Sequence, residues 1–302
     1  MWVQWHNGGE MAFSLDFSQS ASHSPRERSR GRLLALPAVL WLLLFFLLPL
    51  AIVLVVSFLT RGPNGTIVLP LTLDHYQRIF GPIYFPVFLK SIWIALVTTV
   101  VCLLAGYPLA FFISTRKSKR TQNFALFLVI LPFWTNFLVR TYAWRVLLGT
   151  EGTINGILLN LHLIGEPLQL LNSQFAVLVG LIYGELPFMI LPIFTSVERF
   201  DFRLVEAAHD LGANDWRAFL RIVFPLTLPG VVAGCILVFI PSIGAFITPD
   251  LLGGTQGLMI GNLINQQFHG TGNWPLGSAA SVVMMGLVMI GLLVYSRLGK
   301  RA

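Results

Sequence analysis

From Leu33 to Leu59 the chain carries no charged residue. An α-helix rises 1.5 Å per residue, so a run of that length crosses a hydrocarbon core of about 30 Å with some tilt. Five further apolar runs follow, at about Ser91–Thr115, Asn123–Leu148, Gln174–Val197, Gly230–Pro249 and Ser278–Ser296; Asn123–Leu148 has a polar outer third. The runs are continuously apolar, where barrel strands would alternate over about ten residues, so the pattern predicts an all-α membrane protein with six transmembrane helices. Met1 to Arg32 is polar and Ser-rich, and is expected to be a disordered cytoplasmic tail (residues 1–32) ahead of a membrane domain spanning residues 33–302. Because about thirty polar residues precede the first span and no A-x-A-like site follows it, this span is expected to remain in place and not to act as a cleaved signal.

Composition agrees: 55% of the 302 residues are hydrophobic, 13% aromatic and only 11% charged, too few charges to cover a soluble domain of this length. Arg26, Arg28, Arg30 and Arg32 precede the first span, and Arg116, Lys117, Lys119 and Arg120 lie between the second and third. Arg199, Arg203, Arg217 and Arg221 lie between the fourth and fifth, and Arg297, Lys300 and Arg301 end the chain. Basic residues favour the cytoplasmic side, so both termini and these loops are predicted to be cytoplasmic. The net charge of +7 then follows from topology, and no nucleic-acid partner is needed to explain it. Both cysteines, Cys102 and Cys235, fall inside spans and predict packing, with no disulfide framework or metal site.

The longest cytoplasmic loop, residues 198–229, predicts two short helices. The first covers Phe202 to Leu211, where Leu204, Val205, Ala208 and Leu211 make one apolar stripe. Gly212 ends it, Asn214 caps a second helix beginning at Asp215, and Pro225 is expected to stop that helix. Such a bent amphipathic pair either lies on the membrane or plugs into a groove on a soluble subunit, with Ala207 and Ala208 permitting close approach and Glu206 fixing orientation.

The order Glu206-Ala207-Ala208, three residues, Gly212, nine residues, Ile222, one residue, Phe224, Pro225 resembles the EAA loop of ABC-importer permeases, EAA-x3-G-x9-I-x-L-P. Phe224 departs from it, an apolar residue in place of Leu. The stretches LPFWTNFLVRTYAW (Leu131–Trp144), LPFMILPIF (Leu186–Phe194), IPSIGAFITPDLLGG (Ile240–Gly254) and NWPLGSAAS (Asn273–Ser281) are similar to the spermidine/putrescine branch of that family, the likeness running roughly from Leu33 to Arg297. The resemblance implies the type I (MetI-like) permease fold and a coupling role for Glu206, Ala207, Ala208, Gly212, Ile222 and Pro225. It further implies a dimer of ABC ATPase subunits that bind ATP and Mg, a second, homologous permease chain, and an extracytoplasmic solute-binding protein. No G-x4-G-K-[ST] sequence occurs in this chain, so the ATPase is expected to be a separate polypeptide.

Glu185 lies about eleven residues into the fourth span, roughly 17 Å of rise and near the midplane, where a carboxylate marks either a pathway or a pairing. Tyr183 is beside it, and Pro187 and Pro192 break the helix ladder, freeing carbonyls. Carboxylate, ring and carbonyls together suit an ammonium group; alternatively Arg140 or Arg145 neutralises Glu185. Trp134, with Tyr142 and Trp144, belongs either to an interface belt or to a ligand cage. Asn136 satisfies freed backbone or touches solute, and Asp250 either attracts an incoming cation or is a solvated helix-end acid. Outside, Ile154–Leu163 and Leu258–Phe268 predict surface helices, either lips of a cavity or plain connectors.

An intramembrane enzyme fits poorly, because His6, His23, His75, His162, His209 and His269 are scattered, with no H-E-x-x-H and no Asp pair in a span. A self-sufficient ion-coupled transporter would use Glu185 as its ion site, but has no use for a cytoplasmic docking pair.

Overall fold

A computed structural model describes residues 37–298. The tail 1–32, with Arg26, Arg28, Arg30 and Arg32, lies outside the described residues, as do the first positions of the first predicted span, Lys300, Arg301 and the side chain of Arg297. The chain divides into two compact units, residues 1–52 and 53–302. Of the first, residues 37–52 are described, and they form most of α1 (Pro37–Val56), an apolar helix with a π turn at Leu43–Leu47.

The second unit opens with a small antiparallel hairpin, β1 (Thr60–Arg61) and β2 (Ile67–Val68), with Thr60 opposite Val68. Then come α2 (Asp74–Ile79), α3 (Phe85–Ser114), α4 (Lys119–Ile130), α5 (Phe137–Leu148) and α6 (Thr153–Asn160). The rest is α7 (Gln174–Glu198), α8 (Arg203–Asp210), α9 (Asp215–Gly244), α10 (Ile247–Leu252), α11 (Ile260–Asn265) and α12 (Trp274–Leu298). Among the described residues five helices (α1, α3, α7, α9 and α12) are long and apolar enough to cross a bilayer, and a bent pair makes a sixth span if counted as one.

That bent pair corrects the third predicted span. Asn123–Leu148 is not one helix: the chain bends by 90° between Trp134 and Phe137. Pro132 has no N–H for the ladder, Leu131–Trp134 tightens into a 3-10 turn, and Thr135 is extended. Asn136 then starts α5 by accepting a hydrogen bond from the Leu138 N–H at 2.8 Å, so a breaker and a cap act in succession. The fifth predicted span, Gly230–Pro249, shifts as well. Its helix begins at Asp215 and ends at Gly244, and Pro249 and Asp250 belong to the separate α10. Pro225 does not stop α9, because the turn before it is a π turn (Phe219–Val223) in which the Phe224 N–H reaches back to Phe219; the widened ladder accommodates the ring. Pro187 and Pro192 likewise sit inside an unbroken α7, leaving the carbonyls of Tyr183 and Phe188 without an N–H four residues on.

The main core lies where α3, α7 and α9 meet, around Cys102, Ile113, Met189, Ile193, Val231 and Val238. Lipid chains are as apolar as these side chains, so close packing, not water exclusion, must hold spanning helices together. Gly230 and Gly234 permit it: a Cβ on Gly230 would stand 2.2 Å from Ser196 Oγ, and one on Gly234 2.8 Å from Met189 Sδ. A buried hydrogen bond joins the Tyr107 hydroxyl to Thr227 Oγ1 at 2.9 Å. A second cluster, with Ile79, Phe88, Ile260 and Leu276, binds α2, α3, α11 and α12. Cys102 is buried and Cys235 half-buried, and both are free thiols.

Candidate functional site

Two places combine unusual exposure or unusual burial with chemistry. The first is the elbow formed by α8 and the start of α9. Asp201 Oδ1 accepts from the Arg203 N–H at 3.0 Å and starts α8. At its end Gly212 has φ +83°, a conformation costly for residues with a Cβ. The Ala213 N–H returns to the Ala208 carbonyl at 2.9 Å, closing the helix end. Asn214 Oδ1 accepts from the Arg217 N–H at 2.9 Å and starts the second arm. Across the turn, His209 Nε2 stands 3.1 Å from Asp215 Oδ1.

Glu206, Ala207 and Gly212 are exposed at this elbow, while Ala208 is buried and Ile222 half-buried. Pro225 is exposed farther along α9. Leu211 is 90% exposed and Trp216 66%, so the elbow presents large apolar side chains that the chain itself does not cover. On its inner side the elbow rests on the α3 rings of Tyr107 and Phe111, which sequence reasoning did not single out. Phe219 stacks on Trp216 (6.0 Å) and meets Tyr107 and Phe111 of α3 edge-on, at 5.6 and 6.3 Å, while Phe202 also meets Phe111 at 6.3 Å. The signal was present only as scattered Phe residues in different helices, and their convergence is a tertiary fact. Lys119 Nζ donates to Glu198 Oε1 at 2.7 Å, tying the start of α4 to the end of α7 beside the elbow.

The second place is a cavity of about 250 Å³ walled by Phe137 of α5, Glu185 of α7, Pro241 of α9 and the turn from Ala245 to Thr248. Glu185 is half-buried, and its Oε2 has no hydrogen-bond partner. Among the described residues no ion pair joins it to Arg140 or Arg145. Arg140 Nε and Nη1 are also buried without partners, and its guanidinium lies 5.3 Å from the Phe133 ring centroid and 5.9 Å from that of Phe137. The helix break that makes the cavity's outer wall is held by Asn262, whose side-chain NH2 donates to the Phe246 carbonyl at 2.8 Å.

Of the five path candidates, Glu185 alone is in the cavity wall. Tyr183 turns its ring edge-on to Trp144 at 5.6 Å. Trp134 is 76% exposed and packs edge-on against Phe127 at 5.7 Å. The Asn136 side chain is engaged as the cap of α5, and Asp250 is exposed in the first turn of α10. Ser242 and Thr98, on the buried stripes of α9 and α3, each carry a hydroxyl without a partner, which no sequence pattern distinguished from ordinary core Ser and Thr. Among the described residues no group of three His, Cys, Asp or Glu is placed to hold a metal ion.

Residues 106–302 match the family of binding-protein-dependent transport system inner membrane components. The spermidine/putrescine transport system permease protein PotB of Haemophilus influenzae is 44% identical over 260 residues, covering 86% of this chain and 91% of that protein. The inner membrane ABC transporter permease protein YdcU of Escherichia coli is 32% identical over 242 residues, covering 76% of each chain. Among solved structures, a bacterial ABC transporter involved in the import of the acidic polysaccharide alginate superposes with a TM-score of 0.68 at 20% identity, over 91% of this chain and 98% of that one. The MetNI methionine ABC transporter, in an inward-facing form, matches with a TM-score of 0.53 at 16% identity, over 73% and 98%. At such identities the structural likeness establishes the fold alone, and that fold is the MetI-like permease fold expected from the sequence.

Proposed function

The chain belongs to the binding-protein-dependent transport system inner membrane components, and from that premise we propose that it is the permease subunit of an ABC importer that carries polyamines, spermidine and putrescine among them, into the cytoplasm. The observation that carries the substrate reading is the Glu185 carboxylate in the wall of a cavity inside the spanning helices, with one oxygen unpartnered. A buried carboxylate is costly unless a cation meets it, and an ammonium group is such a cation. The extended similarity to PotB, named for spermidine/putrescine transport, supports the same solute.

The elbow supplies the drive. Its exposed Leu211 and Trp216 fit a groove on a partner ATPase, and Glu206 fixes their register. Two ATPase subunits hold ATP and Mg; their closure pushes the elbow, and the rings of Phe219, Tyr107 and Phe111 pass that displacement to α3 because a packed interior yields little. One chain walls only part of a path, so a second, homologous permease completes it, and an extracytoplasmic binding protein delivers solute. The basic loops orient the elbow and both termini toward the cytoplasm of a bacterial inner membrane.

The test is reconstitution of the four components in vesicles with labelled spermidine. ATP-dependent uptake that requires the binding protein is expected. Uptake that persists without the ATPase, or a binding protein indifferent to polyamines, would overturn the proposal.

A further inference from the structure

Arg140 takes no part in the elbow, yet it is a charged side chain held inside a spanning element with two donor nitrogens buried and unpartnered. Such a group is normally paired. Its guanidinium rests instead by the rings of Phe133 and Phe137, and Phe137 is itself a wall of the cavity that Glu185 faces. Phe137 thus sets Arg140 beside the cavity that Glu185 lines, and among the described residues the two charges do not close into an ion pair. Two groups of opposite charge, each with buried polar atoms left unpartnered, therefore sit in and behind the wall of a single cavity.

A static structural pair would look different, closed within 4 Å and hydrogen-bonded at both ends. The arrangement here gives the guanidinium two stations. One is the pair of aromatic faces, where a cation is held by the ring quadrupoles; the other is the Glu185 carboxylate. The two stations are carried by different elements. Arg140 lies on α5, a twelve-residue helix that follows the 90° bend at an extended Thr135, whereas Glu185 lies on α7, which is locked into the main core with α3 and α9.

We propose that Arg140 is a tethered counter-ion that exchanges with the transported cation at Glu185. This rests on the reading of the solute as a cation. While an ammonium group occupies Glu185, Arg140 stays on Phe133 and Phe137. Once the solute has left toward the cytoplasm, Arg140 swings to the carboxylate and neutralises it. The emptied path then returns outward without an unpaired buried charge, and a released cation finds its station taken. Arg140 thereby hinders rebinding of released solute from the cytoplasmic side, while ATP hydrolysis at the partner subunits sets the direction of net transport.

The experiment uses the assembled transporter in vesicles with ATP enclosed, so that the lumen is the cytoplasmic side, the binding protein outside, and labelled spermidine as solute. Unlabelled spermidine is titrated into the lumen. Uptake by the native complex is expected to resist it, whereas Arg140→Gln is expected to become sensitive at a concentration lower by at least roughly tenfold, the effect of losing one competing partner. Arg140→Lys keeps the charge and should retain resistance. Adding Glu185→Gln to Arg140→Gln should remove the sensitivity, since the station itself is gone. Phe137→Leu removes a resting face without touching either charge, and should slow uptake by holding Arg140 on Glu185. Arg140→Gln with native resistance to lumenal spermidine overturns the exchange, as does loss of assembled complex in each single variant with recovery in the double. Native vesicles that take up no spermidine sink the polyamine reading itself and the exchange with it, a different result from native uptake with an insensitive Arg140→Gln.

Discussion

The elbow and the Glu185 cavity are built by opposite means. The features that set the elbow's own bend are local: the Asp201 start, the positive φ of Gly212, the Asn214 cap and the His209–Asp215 contact all join residues within six positions of one another. The cavity takes one wall from each of α5, α7, α9 and the turn into α10, and one oxygen of its carboxylate has no hydrogen-bond partner. A locally built device can be pushed as a rigid body without losing its shape. A cavity assembled from several helices changes whenever they move relative to one another. That division suits a machine in which one part receives force and the other part responds.

The contrast can be broken at several points. The largest effect is expected where the helices that build the cavity approach most closely. Gly230→Val would bring a Cβ to 2.2 Å from Ser196 Oγ and 2.6 Å from the Pro192 carbonyl. Overpacking of that kind costs about 1–3 kcal/mol or more, so the folded chain should lose several degrees of melting temperature and much of its yield. Native melting would mean that α7 and α9 pack less tightly than described.

Next come changes at the elbow's exposed face, which should leave melting alone and abolish transport. Glu206→Lys reverses a charge at the docking face, where a misplaced charge costs several kcal/mol, and uptake should fall by roughly a hundredfold or more with the chain still inserted. Gly212→Val should also abolish uptake with the chain still inserted, though with some loss of melting temperature, because a β-branched residue resists a φ of +83°. Unimpaired uptake in both would remove the coupling role of the elbow.

A smaller loss is expected from Glu185→Gln, which keeps the shape of the cavity wall but withdraws its charge. Uptake of a dication should drop by roughly tenfold, the loss of one charge-assisted contact. If uptake persists while the yield of folded chain collapses, Glu185 is a packing group and the cavity is not the path.

The smallest effects should come from single caps within the elbow. Asn214→Ala removes a helix start worth about 1 kcal/mol and should reduce coupling several-fold. His209→Ala opens an exposed contact and should change uptake by less than about twofold. A larger effect from His209→Ala than from Asn214→Ala would mean that the side-chain clasp, and not the backbone cap, sets the elbow's angle.

Much of this architecture could be read from residues alone, for a definite reason. Spanning helices satisfy their own backbone and need only length and apolarity, so Gln174–Val197 was located to within a residue of α7. The elbow was equally legible, because Gly212 and Asn214 act on their immediate neighbours and the long spaced pattern from Glu206 to Pro225 carries the family likeness. Prolines misled where their effect depends on the surrounding ladder. Pro132 broke a helix that was expected to continue, with Asn136 ready to cap the next one, while Pro225 failed to stop a helix already loosened by a π turn.

What the sequence determined by itself is thus the position of most spanning helices, their predicted sidedness and the bend of the elbow, all consequences of local hydrogen bonding and of partition between lipid and water. Which polar groups share a space was decided by the tertiary structure. Glu185, Phe137 and the Ala245–Thr248 turn meet across more than 100 positions of chain only because Gly230 and Gly234 let α7 and α9 close up and because α5 turns aside at Asn136. Close packing between helices has no period along the chain, and so it leaves no mark there until the helices are assembled.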